Sequence, residues 1–328
     1  MKKLSLLIIL IISFGCKENS TSPINTYSWK LSSMLPKGGT YLDIFFINAN
    51  KGWITGLQSE IFHSQNAGVS WELQRSSTSN NPLQFVHFID EQYGWAMGYG
   101  TAYYTVDGGK LWRYVNLVGY GAHVYPITEK IFFVDRENIL VFWQLYGGNR
   151  SINVSRYNFN ADSSIFKRSG THEFTDRYSA ITHLQNKIWV ADVSNNIYIS
   201  TDGGINWTTQ NIAGSLTGGI KDMYFTNEQN GWFCSDSSIY YSGDGGNNWQ
   251  YKSSVSDSSL KKLCFFNNEG WLMGEKVIYH STDRGETWKE QFKVEADEKL
   301  VSISFINNTS GWALSENGNV YHYGIELK

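Results

Sequence analysis

Apolar residues occur along this chain in short runs that are separated by Gly, Asn, Asp and Ser. No segment after residue 25 repeats its apolar residues with the period of an amphipathic helix. Short apolar runs bounded by turn-forming residues predict β-strands joined by tight turns. In one clear unit the runs 85–89, 95–98 and 102–105 predict three strands, and a fourth begins at Trp112.

Tryptophan spacing indicates that this four-strand unit repeats along the chain. One series of tryptophans falls in the second run of each unit at intervals of 39 to 48 residues: Trp53, Trp95, Trp143, Trp189, Trp232, Trp271 and Trp312. Four short strands every ~40–45 residues are typical of a propeller blade. The spacing therefore predicts seven copies of one unit, an all-β, seven-bladed β-propeller of four-stranded blades.

A second tryptophan series closes an eight-residue motif, Ser/Thr-x-Asp/Asn-x-Gly-x-x-Trp, which resembles the Asp-box. Its five copies end at Trp71, Trp112, Trp207, Trp249 and Trp288. The acidic or amide residues at its third position are Asn66, Asp107, Asp202, Asp244 and Asp283. Asp and Asn accept backbone hydrogen bonds in turns, and Gly supplies a positive φ. We expect structural hairpin turns here and no metal, because the further oxygen ligands of a calcium site are missing.

The two ends of the chain complement each other. The last unit stops after its third strand, near Tyr323, and has no motif tryptophan. Trp29 lies 42 residues before Trp71 and so falls in register with the second series. The pattern predicts that the N-terminal strand completes the last blade and closes a ring formed by residues 26–328.

The first 25 residues have the pattern of an export signal. Two lysines precede an apolar stretch at 4–14, which is shorter than the roughly 20 residues that span a bilayer. The sequence up to Cys16 resembles a bacterial lipobox, which implies that a signal peptide at 1–15 is removed and Cys16 is lipidated. An ordinary signal peptide cleaved elsewhere is the alternative. Residues 16–25 are predicted to form a flexible tether to a bacterial membrane, the outer membrane being our expectation.

Composition argues against nucleic acid as a partner, but it does not decide whether the cysteines form a disulfide. The formal net charge is -3 and only 17% of residues are charged, so no basic surface suited to nucleic acid is predicted. Cys234 and Cys264 lie in apolar runs. They are either buried free thiols or a disulfide, which export would permit.

The repeat as a whole resembles one family of Asp-box propellers. Residues 93–98 read Tyr-Gly-Trp-Ala-Met-Gly and residues 107–112 read Asp-Gly-Gly-Lys-Leu-Trp. These motifs are similar to the bacterial neuraminidase repeat, and most of all to the photosystem II assembly and stability factor family. The resemblance implies a propeller fold and, by the family's role, an assembly factor without cofactors.

Enzymatic chemistry has little support in the sequence. Sialidases share the Asp-box but need an arginine cluster, and no arginine lies between Leu31 and Gln74. Loop carboxylates at Glu60, Asp236, Glu275 and Glu316 do not reveal a facing pair, which glycosidases require. We therefore predict no catalytic residues, and keep a glycan-binding module and a sialidase-like glycosidase as alternatives.

The third unit is the predicted partner-binding site, because it lacks the Asp-box and is rich in Tyr and Arg. These residue types are enriched at the centres of protein interfaces. The candidates are Tyr120, His123, Tyr146, Arg150, Arg156 and Arg177. The alternative is an eroded repeat with solvated arginines. The sequence predicts an interaction scaffold at the cell envelope that binds a protein partner of unknown identity, with a glycan as the second ligand class.

Overall fold

The computed structural model describes residues 26–77, 81–98, 101–115, 126–133, 138–145, 152–160, 165–174, 176–212, 216 and 218–325. The predicted signal peptide, Cys16 and the tether lie outside these residues. No helix in the described part of the chain has the length and apolar character needed to span a bilayer.

Every regular element within these described ranges is a β-strand. The first half of the chain contains β1 Tyr27–Met34, β2 Tyr41–Phe46, β3 Gly52–Gly56, β4 Ile61–Ser64, β5 Glu72–Arg75, β6 Phe85–Phe88, β7 Gly94–Gly98, β8 Thr101–Thr105, β9 Arg113–Val115, β10 Pro126–Phe133, β11 Asn138–Leu145, β12 Ile152–Asn160 and β13 Ile165–Phe174. The second half contains β14 Tyr178–Leu184, β15 Lys187–Asp192, β16 Asn196–Ser200, β17 Thr208–Asn211, β18 Ile220–Phe225, β19 Gly231–Ser235, β20 Ser238–Ser242, β21 Gln250–Ser254, β22 Lys262–Phe266, β23 Glu269–Met273, β24 Val277–Ser281, β25 Lys289–Lys293, β26 Leu300–Asn307, β27 Ser310–Ser315 and β28 Asn319–Ile325.

These strands pair into antiparallel four-stranded sheets. Consecutive strands form the sheets β2–β5, β6–β9, β10–β13, β14–β17, β18–β21 and β22–β25, and the remaining sheet has the order β1-β28-β27-β26. Neighbouring sheets touch mainly through their first strands, as β2 does with β26 and β6, and β18 with β14 and β22. The first strands therefore surround the centre, and the fourth strands lie outside, as in a propeller.

The prediction of seven copies of one blade is wrong. Six sheets follow the repeat unit, each with a second strand of five or six residues that carries a buried tryptophan, namely Trp53, Trp95, Trp189, Trp232, Trp271 or Trp312. The sheet β10–β13 is built differently: its strands have eight to ten residues, and its third and fourth strands are not joined by an Asp-box. The predicted seven-bladed ring of equivalent blades is thus corrected to six repeat-type blades and one divergent sheet. The prediction included the unit of Trp143 as a seventh copy because its tryptophan spacing fits the repeat. Spacing gives no information on strand length or on the residues that form the turns.

The predicted closure by the N-terminal strand is present. β1 pairs antiparallel with β28, so that Tyr27 lies opposite Ile325 and Trp29 opposite Tyr323. The Trp29 ring also packs on Phe292 and Phe305, which belong to β25 and β26. The last blade is therefore assembled from both ends of the propeller, which removes a free strand edge between the first and last blades.

Aromatic stacking joins five of the six repeat-type blades to the blade that follows. The second-strand tryptophan stacks on the first-strand phenylalanine of the following blade, with ring centroids 3.6 Å apart for Trp312 and Phe46 and 3.5 Å apart for Trp53 and Phe88. The same pairing recurs at Trp189 with Phe225, Trp232 with Phe265 and Trp271 with Phe305. Burial of these large rings between blades accounts for much of the core.

The two cysteines of the propeller are free thiols. Cys234 and Cys264 are buried in β19 and β22, and neither forms a disulfide. Burial raises the pKa of both thiols, which keeps them protonated and unreactive. Of the two alternatives left open by the sequence, the apolar packing role is the one observed.

Candidate functional site

The five Asp-box hairpins share one hydrogen-bond pattern. In the box that ends at Trp288, Ser281 Oγ donates to Asp283 Oδ1 at 2.8 Å and accepts the Gly285 N–H at 2.9 Å. Asp283 Oδ1 also accepts the Thr287 N–H at 2.9 Å. Corresponding bonds are made by Asn66, Asp107, Asp202 and Asp244. These side chains hold the turn, and their oxygen atoms are already engaged within it.

Backbone conformation explains the glycine of the motif. Gly285 has φ +81°, and the residue before it, Arg284, also has a positive φ. The same pair of left-handed residues occurs in the other four boxes, at 67–68, 108–109, 203–204 and 245–246. Because a Cβ is strained in this region, the second position is glycine in all five copies.

Hydrogen bonding keeps the box carboxylates ionised. Burial opposes ionisation of Asp202, but hydrogen bonds from Asn206, Ser200 and the Ile205 N–H outweigh it and lower its pKa to about 2. The balance is the same at Asp283, where burial is outweighed by bonds from Thr287 and Ser281 and the pKa falls to about 2. Carboxylates held in this way lack the raised pKa expected of a general acid.

The two ends of the sheets form chemically different faces. We call the end that carries the Asp-box hairpins at 64–71, 105–112, 200–207, 242–249 and 281–288 the hairpin face. The turns between first and second strands lie at the same end, since the Gly108 N–H bonds to Gln92 O and the Gly245 N–H bonds to Gln229 O. We call the opposite end, with the turns between second and third strands at 57–60, 193–195, 236–237, 274–276 and 316–318, the loop face.

A polar network at the first strands was not anticipated from the sequence. Asp43 on β2 is 7% exposed; its Oδ2 accepts the Val86 N–H at 3.1 Å and its Oδ1 accepts the Ser302 hydroxyl at 2.7 Å. Lys262 Nζ lies 3.7 Å from Asp43 Oδ1. Asp222 repeats this role on β18, because its Oδ2 accepts the Leu263 N–H of the next blade at 2.9 Å. The two carboxylates therefore bridge adjacent blades.

The shared register of Asp43 and Asp222 is the signal that could have revealed them. Each lies just after a register shift in its first strand, opposite Thr55 and Cys234 respectively. Each also lies three residues before the phenylalanine that the preceding blade's tryptophan stacks on, Phe46 or Phe225. A single Asp inside an apolar run recurs at a fixed distance from that phenylalanine.

Most of the predicted partner-binding residues lie outside the described part of the chain, or have a described backbone but no described side chain. Tyr120, His123, Tyr146 and Arg150 lie outside it, and only the backbone of Arg156 is described, in β12 opposite Leu140 and Gly170. Arg177 is exposed, and its N–H donates to Asp176 Oδ1 at 2.8 Å. The contacts that these six residues make with a partner therefore stay a prediction.

The strand ends of the divergent sheet nevertheless show at which end of the sheet its connecting segments are attached. Pro126 at the start of β10 lies opposite Leu145 at the end of β11, and Ile152 at the start of β12 lies opposite Phe174 at the end of β13. These four residues occupy one end of the sheet. Three segments are joined to them, and they contain Tyr120, Tyr146 with Arg150, and Arg177. Each segment therefore starts or finishes at the loop face.

A groove of about 540 Å³ opens on the hairpin face between the blades β2–β5 and β6–β9. Its lining includes His63, Glu72, Glu91 and Lys110, and Lys51 bonds to Glu91 across the two blades. His63 is buried and stacks on Trp53, with ring centroids 4.8 Å apart. Burial, aided by Lys51, lowers the pKa of His63, so that the ring is neutral near pH 7. This groove was not predicted from the sequence.

The loop carboxylates considered for glycosidase chemistry are spread over four blades. Glu60 Oε2 accepts the Gln58 N–H at 2.6 Å, Asp236 is 3.1 Å from Lys221, and Glu275 is 2.6 Å from Lys299. Among the described residues, no three His, Cys, Asp or Glu side chains are grouped so that they could hold a metal ion.

Comparison with known proteins identifies the family. The family model described as "Photosynthesis system II assembly factor YCF48" matches residues 22–121 and 215–300, which together make up more than half of the chain. A BNR/Asp-box repeat model also matches residues 198–209. The chain belongs to the YCF48 assembly-factor family. The resemblance stated from the repeat motifs is thereby confirmed.

Individual relatives are distant but align with most of the chain. The Photosystem II assembly lipoprotein Ycf48 of Nostoc sp. is 20% identical over 316 residues, which cover 73% of this chain and 92% of that protein. A solved structure of YCF48 bound to D1 peptide aligns with a TM-score of 0.70 and 20% identity over 91% of this chain and 97% of the other. YCF48 from Cyanidioschyzon merolae aligns with a TM-score of 0.71 and 17% identity over 90% and 98%.

Membership of this family bears on the predicted activity class. The family and the Nostoc relative are named for assembly, and neither name describes an enzyme. This agrees with the prediction of a non-enzymatic interaction scaffold. The relative is also named a lipoprotein, in agreement with the predicted lipid anchor.

Proposed function

We propose that this protein is a lipid-anchored scaffold that holds a segment of a protein partner during assembly of a membrane complex. The observation that carries the proposal is the assembly-factor family match over more than half of the chain. The related YCF48 structure with a bound D1 peptide supports a peptide-like segment as the ligand. The proposed ligand is therefore a peptide segment of a membrane protein, and its identity is left to experiment.

We propose the loop face of the divergent sheet as the partner-binding site. All six repeat-type blades carry a buried tryptophan in a second strand of five or six residues, whereas β10–β13 has strands of eight to ten residues and no Asp-box. Its connections contain Tyr120, His123, Tyr146 and Arg150, and exposed Arg177 follows β13. Tyr and Arg provide large contact areas and directed hydrogen bonds, which supports this surface as an interaction site. Arg156, within β12, completes the proposed set.

The proposed anchor is Cys16, after removal of residues 1–15 as a signal peptide. Residues 16–25 would then tether the propeller formed by 26–328, and the outer membrane of the cell envelope is the proposed location. Two or more acyl chains hold a protein stably on a bilayer, whereas one chain gives only marginal binding. Replacement of Cys16 by Ser should abolish incorporation of labelled palmitate and release the protein from membranes.

The test of the scaffold function is cross-linking in the native cell, followed by affinity purification and mass spectrometry. One dominant membrane-complex partner should be captured with the native chain and lost when Tyr146, Arg150 and Arg156 are replaced by Ala. The matched control replaces Lys110 and Arg284 by Ala, because both are exposed cations on the hairpin face.

Two results would count against the proposal in different ways. Equal capture by the loop-face and hairpin-face variants would reject the divergent sheet as the site while leaving the scaffold function. No partner above background, together with saccharide binding on a glycan array, would replace the scaffold by a glycan-binding module.

A further inference from the structure

The chain enters the propeller at the hairpin face. In the other blades a hairpin joins the third strand to the fourth, and in the closing blade these strands are β28 and β1. Tyr27 and Ile325, which pair with each other, occupy the position of that hairpin. Trp29 lies opposite Tyr323, and one residue separates Tyr27 from this tryptophan, just as one residue separates Val69 from Trp71 in the neighbouring Asp-box. Thr26 therefore leaves the fold at the end of the molecule where the Asp-box hairpins lie.

The length of the tether makes this entry point significant. Ten residues, 16–25, span at most about 36 Å when fully extended. The eight residues of β1 run from the hairpin face to the loop face over about 26 Å. To lay the loop face on the bilayer, the tether would have to run back along most of the height of the molecule. The hairpin face can meet the bilayer without using that length.

Exposed apolar side chains lie at the same face. Val69 is 61% exposed, Leu111 51% and Ile205 63%, and each occupies the sixth or seventh position of an Asp-box. Ile325, beside the entry point, is 51% exposed. The corresponding box positions of the other two hairpins are polar: Asn247, Asn248, Glu286 and Thr287. The apolar tips thus lie on the blades β2–β5, β6–β9 and β14–β17, in the part of the ring that begins beside the chain entry.

We propose that the hairpin face rests on the lipid interface of the membrane that holds Cys16, with Val69, Leu111 and Ile205 inserted at the boundary of headgroups and acyl chains. This inference rests on the proposed lipid anchor. Charges on the face are mixed, since exposed Lys110 and Arg284 are accompanied by Glu91 and Glu286. Binding therefore depends on apolar insertion rather than on anionic lipid.

This orientation directs the loop face away from the bilayer. The connections that contain Tyr120, Tyr146 and Arg150 join strand ends at the loop face, so a partner would meet them on the side remote from the lipid. The anchor and the partner-binding site would then occupy opposite ends of the same sheets, and the propeller would act as a spacer between them.

The test places a fluorescent reporter on each face of the full, lipidated protein in phosphatidylcholine vesicles. An environment-sensitive dye is attached at I205C on the hairpin face or at V193C on the loop face, where Val193 is 42% exposed. Cys234 and Cys264 are buried and do not compete for the dye. Emission at residue 205 should rise about twofold on transfer from detergent-free buffer to vesicles and be quenched by spin-labelled lipid, because the tip enters the interface. Emission at residue 193 should not change.

A matched pair of variants tests the neighbouring tips. V69D/L111D should remove most of the rise at residue 205, whereas L57D, which adds one charge to an exposed leucine of the loop face, should leave it intact. A quenched dye at residue 193, or equal signals at both positions, would overturn the proposed orientation. If the protein does not float with vesicles at all, the proposed lipid anchor is wrong. Flotation therefore distinguishes failure of the anchor from a wrong orientation.

Discussion

The repeat-type blades and the divergent sheet both pack as four-stranded antiparallel sheets, but only the repeat-type blades share the motif residues of the repeat. Each repeat-type blade contributes a buried tryptophan, and in five of the six this ring stacks on the next blade. An Asp-box joins the third strand to the fourth in five of the six. The sheet β10–β13 also forms four paired strands and packs through Leu140, Val154 and Phe174 against β14–β17. The comparison teaches that strand pairing and apolar burial suffice to form a four-stranded sheet packed against its neighbour. The motif residues stabilise particular turns and contacts, and a sheet without them is freer to change its surface.

The largest effect should come from removing a tryptophan that joins two repeat-type blades. Trp312 stacks on Phe46 and its indole N–H donates to Ala67 O at 2.8 Å, so it joins the closing blade to β2–β5. Trp312→Ala should lower the free energy of unfolding by ~3–5 kcal/mol, since a buried aromatic ring is lost. Denaturant unfolding measures the change. Leu140→Ala, which leaves the divergent sheet with a smaller cavity, should cost less, and an equal loss would erase the distinction between the two kinds of blade.

A smaller effect is expected from the backbone of an Asp-box. Gly285 has φ +81°, and an added Cβ would lie 3.3 Å from Phe265 and from Trp288. Gly285→Ala should destabilise the protein by ~1–3 kcal/mol through backbone strain. Gly219 is the control, because a Cβ there would meet no atom within 4 Å. If both variants melt at the native temperature, the conformation of the box contributes little to the stability of its blade.

Acid should weaken the repeat-type blades through their box carboxylates. Asp202 and Asp283 have pKa values lowered to about 2, below the ordinary value of 3.8. A lowered native pKa stabilises the fold above the unfolded pKa, and this stability is lost as pH falls from 3.8 towards 2. Thermal unfolding followed between pH 6 and 2 should show a steeper loss for the native protein than for D202N/D283N.

The first Asp-box provides an internal control for this acid effect, because it carries Asn66 in place of Asp. N66D should add acid sensitivity, since the new carboxylate would accept the same Ser70 N–H and gain stability only when ionised. Identical pH profiles for N66D and the native chain would show that the box carboxylates do not control acid unfolding.

The smallest stability effect should occur at the surface of the divergent sheet. Arg177 is exposed and follows the last strand of that sheet. Arg177→Ala should change the free energy of unfolding by less than about 0.5 kcal/mol, as is usual for surface substitutions. The same variant should reduce partner capture in cross-linking. Loss of stability without loss of capture would reverse the roles assigned to the two regions.

Much of the fold could be predicted because its determinants recur at fixed spacing. The Gly-Trp pairs and the Asp-boxes, with Asp107 through Trp112 as the clearest copy, specify a turn and a buried ring in each unit. The divergent sheet was not fully predicted because Trp143 preserves the spacing, while the lengths of β11 to β13 depend on how consecutive strands pair with each other. Nothing in a tryptophan interval encodes that pairing.

The inter-blade carboxylates were missed for a related physical reason. Asp43 lies in the apolar run of β2, where an isolated acidic residue suggests an exposed edge. In the structure the Val86 N–H and the Ser302 hydroxyl compensate its burial, and they come from the blades on either side. These hydrogen-bond partners are 43 and 259 residues away in sequence, so no local sequence pattern predicts them.

The pairing of β1 with β28 also fixes an order of events as the chain folds. β1 is the first strand of the propeller to be synthesised, and β28 is the last described strand. Until β28 has been made, the edge of β1 has no partner and the ring stays open. Since pairings between residues so far apart in sequence form slowly, the ring closes only after the chain has been synthesised through β28. The first strand of the propeller is therefore the last to be paired.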